Sequence, residues 1–177
     1  TFALDHRASG LVMTVYVLFS LCSTALMSNL GDRHGRRPVF LACVSLFALG
    51  SVVIALAPSF AVLLLGRAIQ GVGGGGIIPT ASAVIGDSLS AGRRARALGL
   101  MGATYGMAFV LGPPLAAVLM LAFSWQWIFL ANVPIAAAVL LLGVRTLPSR
   151  RHGAPLAPLD AGGIALLTLL LDRKSVG

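Results

Sequence analysis

The sequence predicts an all-α polytopic membrane protein, and three observations predict it. Only 10% of the 177 residues are charged, 58% are hydrophobic, and the mean hydropathy is +0.95. An ordinary soluble domain carries about 25% charged residues, so this chain cannot cover a water-facing surface. The apolar residues also fall in long uninterrupted runs, each close to the ~20 residues a helix needs to cross the hydrocarbon. Finally, the basic residues gather in alternate gaps between those runs. Helices rather than strands follow because lipid offers backbone groups no partners, and no run shows the period-2 alternation of a barrel strand.

Taken in order, the first span is Leu11–Leu30, followed by a gap holding Arg33, Arg36 and Arg37. The second is Val39–Ala57, closed by the uncharged pair Pro58-Ser59. The third, Phe60–Ile85, leads into a gap with Arg93, Arg94 and Arg96. The fourth is Ala97–Leu121, and the uncharged Phe123–Gln126 precedes the fifth, Trp127–Val144. Residues 145–160, "RTLPSRRHGAPLAPLD", hold three prolines and no apolar periodicity, and read as a flexible linker. Residues 161–171 begin a sixth span, its apolar run being Ile164–Leu171. The start at Thr1, without Met or a signal segment, reads as an internal cut. The last six residues, Asp172 to Gly177, follow the apolar run abruptly and resemble a translated sequencing adapter, so they are expected to be non-native. The chain reads as a fragment.

A charge of +8 and a pI of about 11.3 would suggest nucleic acid in a soluble protein. The positions exclude it. Nine of the thirteen basic residues lie in residues 31–38, 87–96 and 145–160, and the opposite gaps carry none. The positive-inside rule makes that side cytoplasmic, and the stub Thr1–Gly10 then faces outward. Trp125 and Trp127 flank the start of the fifth span, where amphipathic rings settle at an interface. Cys22 and Cys43 lie in different spans and read as small buried hydrophobes. His6, His34 and His152 fall in gaps with no ligand spacing, so neither a metal nor another cofactor is expected.

"GRAIQGVGGGGIIPT", Gly66 to Thr80, contains Gly71-x-Gly73-x-x-Gly76, the dinucleotide-binding pattern taken literally. A phosphate cradle must follow a strand, open a helix and be reachable by water. These glycines sit mid-span with no Lys near, and the nucleotide reading fails. In lipid, small residues let helices approach closely. Gly71 and Gly75 share a helix face, as do Ser82 and Gly86, and Gly102 and Gly106. Packing accounts for all of them, and Gly73–Gly76 followed by Pro79 also fits a flexible, hinge-bearing helix. Arg67 is different. It lies roughly 10 Å inside the span at 1.5 Å per residue, where a charge is costly and marks a functional site by default. Snorkelling to the outer interface is the alternative. Gln70, one turn on, would share its face.

"LGDRHGRRP", Leu30 to Pro38, resembles the loop motif between helices two and three of the major facilitator superfamily, through Asp32, Arg33, Gly35, Arg36 and Arg37. Ser28 stands where the family usually has glycine. "GRAIQGVGGG" resembles the helix-four motif, with Arg67, Gln70, Gly71 and Gly73. "GATYGMAFVLGPPLAA" resembles the helix-five motif of the antiporter branch, with Gly102, Gly106, Gly112 and Pro113; Ala108 and Ala116-Ala117 replace usual glycines. "WQWIFLANVPI" resembles the helix-six entry of bacterial drug:proton antiporters. Four motifs stand in family order over nearly the whole chain.

The resemblance implies a partial major facilitator fold. Residues 1–144 would be most of the N-terminal six-helix half, working with a missing C-terminal half in a bacterial inner membrane. It further implies alternating access and proton-coupled efflux of drugs or other small organic molecules. The loop would be a cytoplasmic gate, in which Asp32 caps a nearby helix or pairs with an arginine. Gly35 permits the reversal and Pro38 suits a first helical turn. Arg67 and Gln70 would serve proton coupling, while Pro113 and Pro114 would bend or break the fourth helix. The five acids, Asp5, Asp32, Asp87, Asp160 and Asp172, all fall outside the complete spans, so the titrating carboxylate would lie elsewhere. An uptake symporter for sugars or metabolites is the alternative, separated by transport direction. A non-transporting receptor or structural protein is the second, and substrate-stimulated proton flux would exclude it. No nucleophile–base pair suggests an enzyme.

Overall fold

The computed structural model describes residues 6–147, which form α-helices joined by short turns. The expected linker from residue 148 on, the sixth span over 161–171 and the tail 172–177 lie outside the described residues. The helices are α1 (His6–His34), α2 (Arg36–Ala55), α3 (Phe60–Ser88), α4 (Ala91–Ala122), α5 (Gln126–Leu130) and α6 (Asn132–Thr146). Five stretches are long and apolar enough to cross a bilayer, the fifth being α5 and α6 together, Gln126–Thr146. The interruption at Ala131 has a local cause. Pro134 has no N–H to give the Leu130 carbonyl, so the hydrogen-bond ladder skips one rung while Ala131 keeps helical dihedrals.

The helix ends differ from the sequence expectation. The charged stretches 31–38 and 87–96 are mostly helix rather than loop, the ladder being interrupted only at Gly35 in the first and at Leu89 and Ser90 in the second. α1 runs on through Asp32 and Arg33 to His34, and the whole reversal into α2 is Gly35. Its φ of 95° is a backbone conformation that favours glycine. Pro38 stands in the first turn of α2, where an N–H would have no helical partner anyway. At the other end, the Ser59 hydroxyl accepts from the Val62 N–H at 3.4 Å and caps α3.

α3 is the central element, packed against both α1 and α2, and the fifth crossing packs against α2. α4 stands at the edge with no buried residue among those described. The reason is the glycine pattern of α3, which supplies two flat faces. Toward α2, a Cβ on Gly66 would lie 2.7 Å from Ile54 Cγ1, and one on Gly73 would overlap the backbone of Cys43 and Phe47. Toward α1, a Cβ on Gly71 would lie 2.6 Å from the Tyr16 carbonyl oxygen, and one on Gly75 would overlap the Ser20 carbonyl. Gly50 of α2 completes the contact, with Gln70 Cα 2.7 Å from where its Cβ would be. The four-residue spacing therefore describes only one of two stripes.

Pro79 lies inside α3 and leaves the Gly75 carbonyl without its i+4 donor. The Thr24 hydroxyl of α1 reaches across to that carbonyl at 3.1 Å, and also lies 2.8 Å from its own Ser20 carbonyl. One proton serves two acceptors. The Ser23 hydroxyl donates to the Val72 carbonyl at 2.5 Å, one turn away.

Among the described residues, three features differ from the sequence expectation. α4 runs unbroken through Gly112, Pro113 and Pro114, as membrane helices can where the freed carbonyls are satisfied otherwise. Gly102, Gly106 and Gly112, with Gly86, have no other group within 4 Å of a built Cβ, so among the described residues they line no helix–helix contact. α4 touches too little of α3 and α5 for its glycines to be covered. Cys43 is fully buried, but Cys22 is exposed on the outer face of α1.

Candidate functional site

Two polar constellations stand out, one at each end of the helix bundle. The first surrounds Arg67. Its guanidinium sits about two turns into α3, level with the early turns of α1 and the start of the fifth crossing. Its Nε donates to the Val12 carbonyl at 3.3 Å, and its Nη1 donates to Gln70 Oε1 at 2.9 Å. The Met13 sulfur lies 3.4 Å from Nη2. The guanidinium carbon stands 4.8 Å from the Tyr16 ring centroid and 5.7 Å from that of Phe129, both within cation–π range. Neutral groups alone hold the charge among the described residues. Its side chain is half-buried and turned toward α1 and the fifth crossing.

Gln70 is 2% exposed and continues the constellation into α2. Its amide nitrogen donates to Ser51 Oγ at 2.8 Å. Asn132 of α6 approaches the same oxygen from the other side at 3.4 Å. Ser51 in turn donates to the Phe47 carbonyl at 2.9 Å. Arg67, Gln70, Ser51 and Asn132 thus form a continuous polar line across α3, α2 and α6 in an otherwise apolar layer. Sequence reasoning named the first two and missed the others. A signal existed, since Ser51 and Asn132 are polar residues inside apolar runs; their convergence was not legible.

The second constellation is at the other end. Arg36, the first residue of α2, is 3.3 Å from Asp32 on α1 and 2.9 Å from Asp87 on α3. Asp32 therefore pairs with an arginine, and α2 has no side-chain cap. Arg37 donates to the Val144 carbonyl near the end of the fifth crossing, and Arg94 of α4 to the Gly86 carbonyl. Arg33 lies exposed in the last turn of α1, beside the dipole's negative end. These contacts bring the C-terminal ends of α1, α3 and α6 and the N-terminal ends of α2 and α4 to one side. Asp87, which the sequence reading left as a loop acid, is the missed member here. Both carboxylates sit at helix C-termini and Arg36 at an N-terminus, so the helix dipoles oppose all three charges. They are compensated by one another.

A profile of the Major Facilitator Superfamily matches residues 1–174. The uncharacterized MFS-type transporter YfiU of Bacillus subtilis is 43% identical over 159 residues, covering 89% of this chain and 30% of that protein. Multidrug resistance protein 3 of the same organism is 35% identical over 134 residues, 76% of this chain and 26% of that protein. A triacylglyceride transporter of Mycobacteroides abscessus is 35% identical over 167 residues, 94% of this chain and 32% of that protein. The chain spans about a third or less of the length of these relatives. With five helices among the described residues long and apolar enough to cross a bilayer, the matching profile and relatives covering most of its length, this multi-pass membrane chain belongs to the Major Facilitator Superfamily, a family of transporters rather than enzymes.

Proposed function

We propose that this chain is part of a secondary active transporter that works by alternating access and couples efflux of small organic molecules to proton entry. The observation that carries the reading is Arg67, a cation half-buried inside the bundle and held by neutral groups alone among the described residues. A permanent charge in a low-dielectric layer exerts large Coulomb forces on any carboxylate or substrate that approaches it, and its cost there makes it a functional-site candidate by default. The titrating acid would come from the rest of the protein. Two relatives bear on cargo: one is named for multidrug resistance and another for triacylglyceride transport. Both names fit lipophilic organic cargo, and no cofactor beyond the proton gradient is required.

The Asp32–Arg36–Asp87 cluster is the gate in this reading. Its three charges stand at helix ends that disfavour them, so it adds little to the fold but discriminates between two arrangements of those ends. Arg33 and Arg37 would add to the gate's field, and the missing half would supply its partner surface. The positive-inside rule puts this end in the cytoplasm of a bacterial cell and the stub Thr1–Gly10 outside.

The test uses everted membrane vesicles carrying the full-length protein and a panel of lipophilic dyes. Uptake into the vesicles that requires an imposed proton gradient, and that Arg67→Ala abolishes, is the expected result. Arg67→Lys keeps the charge but loses the planar fork, and should retain only a small part of the activity. Transport of undiminished rate in Arg67→Ala would refute the coupling role. Dye movement in the opposite sense would favour the symporter reading instead.

A further inference from the structure

A serine hydroxyl offers one proton and accepts at two lone pairs, and at Ser51 all three are in use. The proton goes to the Phe47 carbonyl at 2.9 Å, the back-bond of a serine to the residue four before it. The lone pairs accept from Gln70 and Asn132. Ser51 is 0% exposed, so water does not compete for these places. The arrangement has a directional consequence. With its proton committed, Ser51 can only accept from Gln70, and the NH2 end of that amide must face it. The carbonyl end of Gln70 is thereby left pointing at Arg67, where Oε1 receives Nη1 at 2.9 Å. Turned over, the amide would set a donor against a donor at the guanidinium and an acceptor against Ser51's remaining lone pairs.

We propose that Ser51 and Asn132 are positioning residues for Arg67. Through the fixed amide of Gln70 they hold the guanidinium in one orientation, and Asn132 ties that orientation to the fifth crossing. Three helices then set the direction of a charge carried by one of them. A movement of α6 against α2 withdraws Asn132 and leaves the Ser51 hydroxyl, on which Gln70 rests, with one holding contact fewer, so a helix rearrangement is transmitted to Arg67 without touching it. The functional weight of this rests on the coupling role of Arg67 given above, while the positioning itself does not.

Both parts are tested in the full-length protein. The first readout is nitrogen NMR of the Arg67 guanidinium in lipid, assigned by its loss in Arg67→Lys. A held guanidinium gives resolved Nη signals, and a freely turning one gives averaged signals. Resolved signals are expected in the wild type, and averaging is expected in Gln70→Ala, Ser51→Ala and Asn132→Leu. Ser51→Ala and Asn132→Leu reach the same oxygen from different helices, and their melting temperatures establish that the fold is kept. Unchanged Nη signals in both, with folded protein, would overturn the proposal.

The second readout is gradient-driven dye uptake as a function of pH. Ser51→Ala should slow it about tenfold and move its pH profile in the same direction as Gln70→Ala. In the Gln70→Ala background Ser51→Ala should add nothing, since residues acting through one another are not additive. Independent, additive losses would reduce Ser51 to a packing residue. If Arg67→Ala leaves transport intact, the coupling reading falls, and the NMR result still decides the positioning.

Discussion

Substituting alanine for glycine at two places in the same helix should have opposite effects, and the contact geometry sets the signs. In each case alanine is the better helix former by about 1 kcal/mol. At Gly86, in the last turns of α3, a Cβ meets nothing within 4 Å, so the gain stands and Gly86→Ala should be neutral to stabilising. At Gly75 the new Cβ would overlap the Ser20 carbonyl oxygen and lie 2.8 Å from the Ser20 carbonyl carbon. Backbone in a packed helix cannot rotate away as a side-chain tip can. α1 and α3 must therefore separate, at the cost of about 1–3 kcal/mol usual for overpacking. That separation also stretches the 3.1 Å bond from Thr24 to the Gly75 carbonyl, worth about 1 kcal/mol. The clash wins, and Gly75→Ala should be destabilised by about 1–3 kcal/mol net of the helix gain. The assay is thermal unfolding of the purified full-length protein in detergent, followed by size-exclusion profile. Gly75→Ala melting at or above the wild type would refute the account of α3 as a helix flattened to admit α1.

Three further outcomes follow from particular contacts. Thr24→Val keeps the shape but leaves the Gly75 carbonyl, already orphaned by Pro79, without a donor; a loss of about 1–3 kcal/mol is expected in the same melting assay. Asp87→Asn should slow transport more than Asp32→Asn, because Asp87 holds Arg36 at 2.9 Å against 3.3 Å. Both pairs are partly exposed, so neither change should shift stability by more than about 1 kcal/mol, and equal wild-type rates would leave the cluster a topology signal. Cysteines at Ser59 and Ser124 should react with an impermeant thiol reagent on intact cells while one at Ser90 should not, and labelling at Ser90 would reverse the orientation.

The helical class and the five long apolar helices of the described residues were legible in the residues alone. A lipid solvent leaves the backbone only the helix and the closed barrel; the absence of period-2 alternation removes the second, and charge count and run length then suffice. Arg67 was legible for the same reason, since one charge in an apolar run is conspicuous without any neighbour. The glycines of α3 were read as one four-residue stripe, whereas two partner helices lie on different faces, α2 at Gly66 and Gly73 and α1 at Gly71 and Gly75. Spacing along a helix cannot say how many neighbours it has. The same limit applied to Gly102 and Gly106, which have identical spacing but, among the described residues, no partner helix.

Tertiary structure alone decided who meets whom. Ser51 and Asn132 lie 81 positions apart, and Asp87 lies well beyond Arg36 along the chain; hydrophobic period and local motif carry no information on such pairs. Local chemistry fixed what each residue is able to do: the one proton of Ser51, the amide ends of Gln70, the permanent charge of Arg67. Packing of α2, α3 and α6 at one depth fixed which of those capacities are used, because hydrogen bonds act only over a few ångströms and no sequence spacing encodes that distance.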